Sequence, residues 1–158
     1  MKLRDLMKKR VTTIAPDESL HLADGIMALG GLRHLPVVSG GALVGILTHR
    51  DILRAPTTFF GFATDARAVL RALTARDVMT REVVTIDAEA TVQAAAERLL
   101  KHKVGCLPVL ERGALVGIVT TSDLLHAIVG PHAVATDGPH TGSTVPPPAG
   151  CAHPAPGG

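Results

Sequence analysis

The chain contains almost no aromatic residues: three Phe, no Tyr and no Trp among 158 residues. Proteins that bind single-stranded nucleic acids depend on aromatic side chains that stack on bases, so this composition argues against such a partner. The formal net charge of +2 shows no strong basic bias either. The longest basic cluster, Lys8-Lys9-Arg10, is short, and we interpret it as a solvated loop rather than a track for phosphates.

Cysteines and long apolar segments are also scarce. The two cysteines do not make a disulfide framework, which favours a reducing cytoplasm. Cys106 lies in an apolar strand pattern and is expected to be a packed side chain rather than a reactive thiol. No stretch resembles a signal peptide or a membrane span, since charges run from Lys2 to Arg10 without an apolar core. The sequence therefore predicts a cytoplasmic location and no membrane partner.

An internal repeat dominates what is present. Residues 4–55 recur 72 positions later without a gap, with 20 identities in 52 positions. The segment 35–37, Leu-Pro-Val, returns at 107–109, and Gly-Ala-Leu-Val-Gly-Ile at 41–46 returns at 113–118. One copy alone would bury too little surface to be stable. We therefore expect the two copies to share a single core and to form two similar clefts where they face each other.

Each copy predicts the same order of elements: a strand, a helix, two strands and a second helix. The first strand is a short β-branched run at 11–14 or 83–86, and Ser19 or Thr91 caps the helix after it. The apolar stripe of this helix comprises Leu20, Ala23, Met27 and Ala28 in one copy and Val92, Ala95, Ala96, Leu99 and Leu100 in the other. Gly30-Gly31 ends the first of these helices. Turns at 40–41 and 112–113 join the two strands that follow, and the predicted fold class is α/β (α+β).

The expected organisation is a first repeat at 1–56, a linker at 57–75, a second repeat at 76–130 and a tail at 131–158. The linker predicts a helix around 65–73 and holds Phe59, Phe60 and Phe62, which are interpreted as core residues or as a subunit contact. The tail is rich in Pro, Gly, Thr, Ala and His without a period, which predicts disorder. Its histidines and Cys151 match no closed zinc pattern.

One motif contains polar residues that could bind a ligand, and it occurs in both copies. It reads Gly-Ile-Leu-Thr-His-Arg-Asp at 45–51 and Gly-Ile-Val-Thr-Thr-Ser-Asp at 117–123. A strand ends at a Thr, and an Asp follows three residues later at the start of a helix. Local capping alone explains one such Thr-x-x-Asp pattern. The same geometry suits a nucleoside phosphate, because a helix N-terminus offers N–H groups to phosphate and a carboxylate accepts hydrogen bonds from both ribose hydroxyls.

This pattern, set inside the whole repeat, resembles the cystathionine β-synthase (CBS) domain, which occurs as a tandem pair called a Bateman module. The resemblance covers about residues 3–129 and rests on the first strand, the Leu-Pro-Val strand and the Gly-x-x-Thr-x-x-Asp segment. It implies two β-α-β-β-α units packed through their sheets as a pseudo-twofold pair. It also implies clefts that bind adenine nucleotides or S-adenosylmethionine, and dimerisation of pairs into a flat disc.

The resemblance further implies roles for individual residues. Asp51 and Asp123 would hold the ribose, Thr48 and Thr120 would touch the ribose or phosphate, and Ile46 and Ile118 would flank the base. Backbone near Ile14-Ala15 and Ile86-Asp87 would recognise the adenine edge. The expected ligand-binding set is completed by Arg33, His34, Arg50 and Ser122.

The two copies differ in charge at these places. The first has Arg33-His34 and His49-Arg50, whereas the second has Gly105-Cys106 and Thr121-Ser122, with no cation. Because guanidinium groups pair well with phosphate, we expect the cleft that uses Thr48 and Asp51 to accept more phosphate charge. The other cleft is expected to take a less charged ligand or none. Ordinary surface charge is the alternative interpretation of the two arginines.

Nothing in the sequence resembles a nucleophile with its base or a working pair of carboxylates, and we expect no catalytic domain beside the repeats. We therefore expect a regulatory homodimer that requires no cofactor and binds AMP, ADP or ATP, with Mg²⁺ possible alongside ATP. Occupancy would reach a protein effector through a change in shape or assembly. Two alternatives stay open: a sensor of S-adenosylmethionine, and a dimerisation or protein-interaction module with vestigial clefts.

Overall fold

The computed structural model describes residues 1–61 and 65–130, which form a mixed α/β structure. Its helices are α1 (Leu3–Leu6), α2 (Leu20–Gly30), α3 (His49–Phe60), α4 (Ala66–Ala72), α5 (Ala75–Val78), α6 (Val92–His102) and α7 (Thr121–Val129). Its strands are β1 (His34–Ser39), β2 (Ala42–Thr48), β3 (Ile86–Asp87), β4 (Cys106–Glu111) and β5 (Ala114–Thr120). A helix, two strands and a second helix follow one another in both copies, as the repeat predicts.

Each copy contains a β-hairpin. β1 pairs antiparallel with β2 and β4 with β5, while the two-residue β3 lies parallel to β4. The turn residues Gly40 and Gly41 have φ of 57° and 80°, and Arg112 and Gly113 have φ of 50° and 82°. Positive φ at both central residues is what a type I′ hairpin turn requires. Both predicted hairpins are therefore confirmed.

The first strand of each copy is shorter than predicted. In the first copy only Ile14 pairs, through a single parallel bridge to Val37, and in the second copy β3 begins at Ile86. The preceding residues, 11–12 and 83–84, leave the sheets and line the clefts described below. Their β-branched side chains suggested a strand because such residues suit half-buried positions, with or without a neighbouring strand.

Both predicted helix caps are confirmed. The Ser19 hydroxyl accepts a hydrogen bond from the Leu22 N–H at 3.1 Å, and the Thr91 hydroxyl accepts one from the Ala94 N–H at 3.1 Å. Each bond satisfies one of the N–H groups that the first helical turn leaves without an acceptor. The start of α2 and of α6 is therefore determined locally by one residue type.

The apolar stripes of α2 and α6 are narrower than predicted. Buried positions are Leu20, Ala23 and Met27 on α2 and Ala95 and Leu99 on α6. Ala28 is exposed, and Leu100 is 78% exposed, because each helix contacts the core along one seam and its flanks stay in solvent. α2 ends as predicted at Gly31, whose φ of 61° places it in the left-handed region.

Two hydrophobic clusters, rather than the single core that we expected, stabilise the described chain. One is built on α2, β1 and β2, and the other on β4, β5 and α6. Each is completed from the other half of the sequence. Leu3 of α1 is fully buried in the cluster of the second copy, while Ala75 of α5 and Met79 lie in the cluster of the first. The prediction was wrong because the copies exchange their N-terminal segments instead of merging their interiors.

Backbone hydrogen bonds hold the exchanged segments at equivalent places. Leu3 bonds to Ala90, and the equivalent residues of the repeat, Ala75 and Glu18, bond to each other. Lys8 bonds to Ile118 and, equivalently, Thr80 bonds to Ile46. All of these N···O distances are 2.9–3.1 Å. The last two pairs each make two bonds, and β2 lies against β5. These reciprocal contacts are those of a pseudo-twofold pair joined through its sheets.

The linker contains the predicted helix, seen as α4 and capped by Asp65, whose carboxylate accepts from the Arg67 N–H at 3.0 Å. α3 continues to Phe60 with Pro56 inside it. Phe59 and Phe60 are 47% and 54% exposed, so they are not core residues, and the subunit-contact interpretation stays a prediction. Phe62 and the tail 131–158, with its predicted disorder and its His and Cys residues, lie outside the described residues. No helix in the described ranges is long and apolar enough to cross a bilayer.

Candidate ligand-binding clefts

Two clefts lie between the copies, and both copies contribute to each. The first cleft, of about 650 Å³, is lined by Ile46, Thr48, His49, Arg50 and Leu53, by Arg33 and His34, and by Thr80, Glu82–Val84 and Lys103–Cys106. The second cleft, of about 550 Å³, is lined by Ile118, Thr120, Thr121 and Ser122, by Gly105, and by Lys8, Arg10–Thr12, Gly31–His34 and Pro36. Each therefore combines the Thr-x-x-Asp segment of one copy with residues from the start of the other copy, at 8–12 or 80–84, which we call the entry segments.

The Thr-x-x-Asp segments form capping boxes at both clefts. Asp51 Oδ2 accepts from the Thr48 N–H at 2.8 Å and from the Thr48 hydroxyl at 2.7 Å, and the Asp51 N–H donates back to that hydroxyl at 3.2 Å. Asp123 and Thr120 repeat these bonds at 2.8, 2.6 and 3.3 Å. Neither aspartate is itself a lining residue, because its threonine holds Oδ2 against the helix N-terminus. The local capping interpretation is thus realised in both copies.

The second carboxylate oxygen distinguishes the two aspartates. Asp123 Oδ1 receives Lys8 Nζ at 2.9 Å, whereas the described residues supply no partner for Asp51 Oδ1. Burial would by itself raise the pKa of Asp123, but the hydrogen bonds from Thr120 and Lys8 outweigh it and lower the pKa below its ordinary value. Within the described residues, Asp51 thus keeps one carboxylate oxygen without a partner, whereas an exposed lysine holds the equivalent oxygen of Asp123.

Few donors for a phosphate remain at the start of α3. The Thr48 hydroxyl hydrogen is used by Asp51, the His49 N–H donates to the Arg33 carbonyl at 2.9 Å, and the Asp51 N–H donates to Thr48. Of the first three helical residues, only Arg50 has an N–H for which the described chain offers no acceptor. A phosphate at this helix N-terminus would therefore depend on the Arg50 N–H and guanidinium more than on Thr48.

Arg33 and His34 line both clefts. The His34 ring lies so close to Gly105 that a Cβ on that glycine would stand 3.2 Å from Nε2, so the absence of a side chain there admits the ring. Burial and the neighbouring charge of Arg33 lower the pKa of His34, against an opposing effect of Asp51. His34 is therefore a neutral imidazole near pH 7, and Arg33 is the cation that both clefts share.

The residues expected at the adenine edge lie elsewhere. The Ile14 N–H and carbonyl are both bonded, to the Pro36 carbonyl at 3.1 Å and the Val38 N–H at 2.9 Å. Ile14 is buried, Ile86 and Asp87 form β3, and neither these residues nor Ala15 line either cleft. The corresponding walls come from residues 11–12 and 83–84. At Ile14, pairing with the neighbouring strand uses the backbone N–H and carbonyl that were expected to meet a base.

Sequence reasoning missed Lys8, Arg10, Glu82 and Lys103 as cleft residues. The second cleft does have cations, although the positions compared between the two copies supply none there, and the interpretation of the basic cluster at 8–10 as a solvated loop stays a prediction. Lys8, Arg10 and Arg33 all line the second cleft. The error came from assigning to each cleft only the charges of the copy that supplies its Thr-x-x-Asp. The sequence does not show that the entry segment of each copy lies against the other copy.

Cys106 is a packed side chain, as predicted. It is 4% exposed, and burial raises its pKa to about 12. A thiol with that pKa carries essentially no thiolate near neutral pH, so it is a poor nucleophile.

The Lys8–Asp123 ion pair predicts a pH-dependent contribution to stability. The pKa of Asp123 is depressed in the folded chain, so its contribution is present above the ordinary value of 3.8 and is lost as pH falls through the lower folded value. Because Lys8 is 61% exposed, we expect Lys8→Met to lower the free energy of unfolding by only about 0.5–1 kcal/mol at pH 7. Urea denaturation at pH 7 and pH 3 should show the difference shrinking in acid.

Lys9→Met is the matched control, because Lys9 makes no ion pair within the described residues. If Lys8→Met and Lys9→Met shift the urea midpoint equally at pH 7, the pair contributes no stability.

Comparisons with known proteins agree on one family. The CBS domain family model matches residues 3–57 and 75–130. The chain is 35% identical over 131 residues to a CBS domain-containing protein of Dictyostelium discoideum, which covers 80% of this chain and 90% of that protein. It is 34% identical over 124 residues to inosine-5′-monophosphate dehydrogenase of Korarchaeum cryptofilum, covering 78% of this chain but only 23% of the enzyme. The chain spans 22% of a second relative, homoserine O-acetyltransferase of Methanococcoides burtonii.

The similarity extends to solved structures. The crystal structure of the CBS domain pair of protein MJ0100, in complex with 5′-methylthioadenosine and S-adenosyl-L-methionine, superposes with a TM-score of 0.70 at 28% identity. The alignment covers 82% of this chain and 97% of that one. The match to enzymes is thus confined to a part of their length, whereas the match to domain pairs covers nearly the whole of them.

Proposed function

Since this chain belongs to the CBS domain family, we propose that it is a regulatory module that binds adenosine-type ligands in the two clefts between its copies. AMP, ADP and ATP are the proposed ligands, with Mg²⁺ carried on the phosphates of ATP and no resident cofactor. S-adenosylmethionine is the alternative adenosine ligand, since the structure of the related MJ0100 pair contains it. The adenosine portion is common to all of these compounds.

The geometry of Asp51 is the observation that carries the proposal. Its Oδ2 is fixed by Thr48, while the described residues supply no partner for Oδ1, and the two residues before Asp51 in sequence, His49 and Arg50, line the first cleft. A carboxylate that is pre-oriented in this way can accept hydrogen bonds from ribose hydroxyls without losing its cap. The apolar Ile46 and Leu53 of the same cleft offer surfaces for a base. The groups proposed for base and phosphate thus line this cavity, and the carboxylate proposed for ribose follows directly after its lining residue Arg50.

The construction of the clefts supports regulation. A ligand in either cleft contacts both copies, because the Thr-x-x-Asp segment and the entry segment belong to different halves of the sequence. Such a ligand binds best to one relative position of the halves and stabilises that position by its difference in affinity. Occupancy then becomes a change in shape that an effector protein or a second copy of the chain can detect.

Isothermal titration with AMP, ATP and S-adenosylmethionine, on the wild type and on Asp51→Ala and Asp123→Ala, tests the proposal. Losing one charged hydrogen-bonded contact should weaken binding at its own cleft by about ten- to a hundred-fold, or ~1.5–3 kcal/mol. The loss should be larger at Asp51, because binding at Asp123 already includes the displacement of Lys8.

Asp77→Ala provides a matched control. Asp77 forms the same capping box with Thr74, with bonds of 2.7 and 2.9 Å from the Thr74 N–H and hydroxyl, but no residue of this box lines either cleft, whereas the residues beside Asp51 and Asp123 do. The control loses a cap and should keep wild-type affinity. Equal affinity of all four proteins for every adenosine compound would refute the assignment of Asp51 and Asp123.

Exposed apolar side chains favour a second candidate, a dimerisation or interaction module. Leu53, Phe59 and Phe60 of α3 and Leu125, Ile128 and Val129 of α7 are all more than 45% exposed, which is typical of surfaces that bind another protein. A thermal-shift panel separates the two functions: an adenosine ligand raises the melting temperature of a sensor, while a pure scaffold responds to no compound. Light scattering on the same samples reports whether the chain is the proposed homodimer.

A further inference from the structure

Opposite charges occupy equivalent positions in the two clefts. Arg10 lines the second cleft and Glu82, 72 residues later, lines the first. Both follow the exchanged segments, two residues after Lys8 and Thr80, whose backbones pair with Ile118 and Ile46. Neither Arg10 nor Glu82 makes an ion pair with any described residue. Each charge is therefore available to a ligand.

The remaining charges give each cleft a different pattern. The second cleft has Lys8 and Arg10 on its entry segment and the neutral Thr121 and Ser122 at its helix N-terminus, and its lining includes no carboxylate. The first cleft has two cations that the second lacks, Arg50 at its helix N-terminus and Lys103, and it also has a carboxylate, Glu82, on its entry segment. Arg33 lines both and does not distinguish them.

Ligand substituents of different charge fit these patterns. A chain of phosphates needs cations without an opposing carboxylate, which would repel it by like charge. A substituent with both an ammonium and a carboxylate group, as in an amino acid, needs one partner of each sign. Arg50 can pair with the carboxylate of such a group and Glu82 with its ammonium. The second cleft offers the ammonium no partner of opposite charge except Asp123, which Lys8 already occupies.

We propose that the two clefts select different adenosine compounds by charge: the second takes those with a phosphate chain, and the first takes those with a zwitterionic substituent. Arg10 and Glu82 are the specificity-determining residues. This assignment rests on the proposed function and reverses the order of phosphate preference that the sequence suggests. It makes the chain a sensor of two classes of adenosine compound at once, each read by its own cleft.

Amide NMR titrations resolve the two clefts, since Glu82 and Lys103 report on the first and Arg10 and Ser122 on the second. The probes are adenosine, ATP and S-adenosylhomocysteine, which is a zwitterion without phosphate. In the wild type, ATP should first shift the amides of the second cleft and S-adenosylhomocysteine those of the first. Arg10→Glu should weaken ATP at the second cleft about tenfold, and Glu82→Arg should strengthen ATP and weaken S-adenosylhomocysteine at the first by a similar factor.

Lys9→Glu makes the same charge change as Arg10→Glu one residue away, at an exposed position that lines neither cleft, and should leave the preferences unchanged. Adenosine lacks the charged substituent, so neither Arg10→Glu nor Glu82→Arg should alter its affinity. If adenosine binds both clefts but ATP and S-adenosylhomocysteine do not separate, or their separation does not follow the two substitutions, charge selection is wrong while the proposed function stands. If adenosine shifts no cleft amide, the proposed function itself fails.

Discussion

Leu3→Ala is expected to lower the free energy of unfolding by about 2–5 kcal/mol, the usual cost of truncating a fully buried leucine. Here Leu3 has no exposed surface and packs into the cluster of the second copy, while its N–H donates to the Ala90 carbonyl at 2.9 Å. Urea denaturation followed by circular dichroism measures the change.

Leu100→Ala is the matched control, since it removes the same atoms from a side chain that is 78% exposed. It should shift the free energy of unfolding by less than ~0.5 kcal/mol. Hydrogen exchange adds a second test: in Leu3→Ala the amides of β4 and β5 should lose more protection than those of β1 and β2. A Leu3→Ala protein as stable as Leu100→Ala would show that α1 does not belong to the second cluster.

The features that the sequence predicts correctly are those that depend on a few neighbouring residues. The hairpin turns at 40–41 and 112–113, and the caps at Ser19 and Thr91, depend on φ preferences and on hydrogen bonds between residues two or three apart. Such features are encoded within a few residues, so the sequence predicts them correctly. The capping boxes at Thr48 and Thr120 belong to the same group, because two residues three positions apart determine each of them.

The location of α1 and α5 could not be predicted in the same way. An internal repeat states that Leu3 and Ala75 are equivalent, but it is silent on whether each packs in its own copy or in the other. The local sequence is compatible with both arrangements. Which one forms depends on distant contacts: Leu3 bonds to Ala90, 87 residues away, and Ala75 bonds to Glu18, 57 residues away. For the same reason, the sequence did not predict that Lys8 and Arg10 line a cleft.

Gly45 and Gly117 are expected to be sensitive to the smallest possible substitution. An added Cβ on Gly45 would stand 2.5 Å from Met79 Sδ and 3.1 Å from the Thr80 carbonyl oxygen, and one on Gly117 would stand 2.5 Å from Met7 Sδ and 3.2 Å from the Lys8 carbonyl oxygen. The methionine can move, but the carbonyls are bonded to the strands at Ile46 and Ile118. These glycines let the exchanged segments approach β2 and β5 closely enough to pair.

Gly45→Ala and Gly117→Ala should each lower the free energy of unfolding by about 1–3 kcal/mol, the usual cost of overpacking. Gly25→Ala should do the opposite and stabilise the chain by about 0.5–1 kcal/mol, because Gly25 lies inside α2 and, apart from its chain neighbours and the backbone of its own helix, no atom lies within 4 Å of the new Cβ. The three variants add the same methyl group. Urea denaturation of the set therefore measures how much of the lost stability comes from the close approach of the exchanged segments to Gly45 and Gly117.

The two destabilising variants should also differ in ligand binding. Thr80 and Ile46 line the first cleft and Lys8 and Ile118 the second, so Gly45→Ala should weaken adenosine at the first cleft and Gly117→Ala at the second, as the same amide NMR titration would show. Removing the methionine side chain in Gly45→Ala/Met79→Ala should recover part of the lost stability relative to the sum of the single changes. Additive single effects would mean that the cost of Gly45→Ala does not come from Met79, and a Gly45→Ala protein as stable as the wild type would show that the strands tolerate a side chain there.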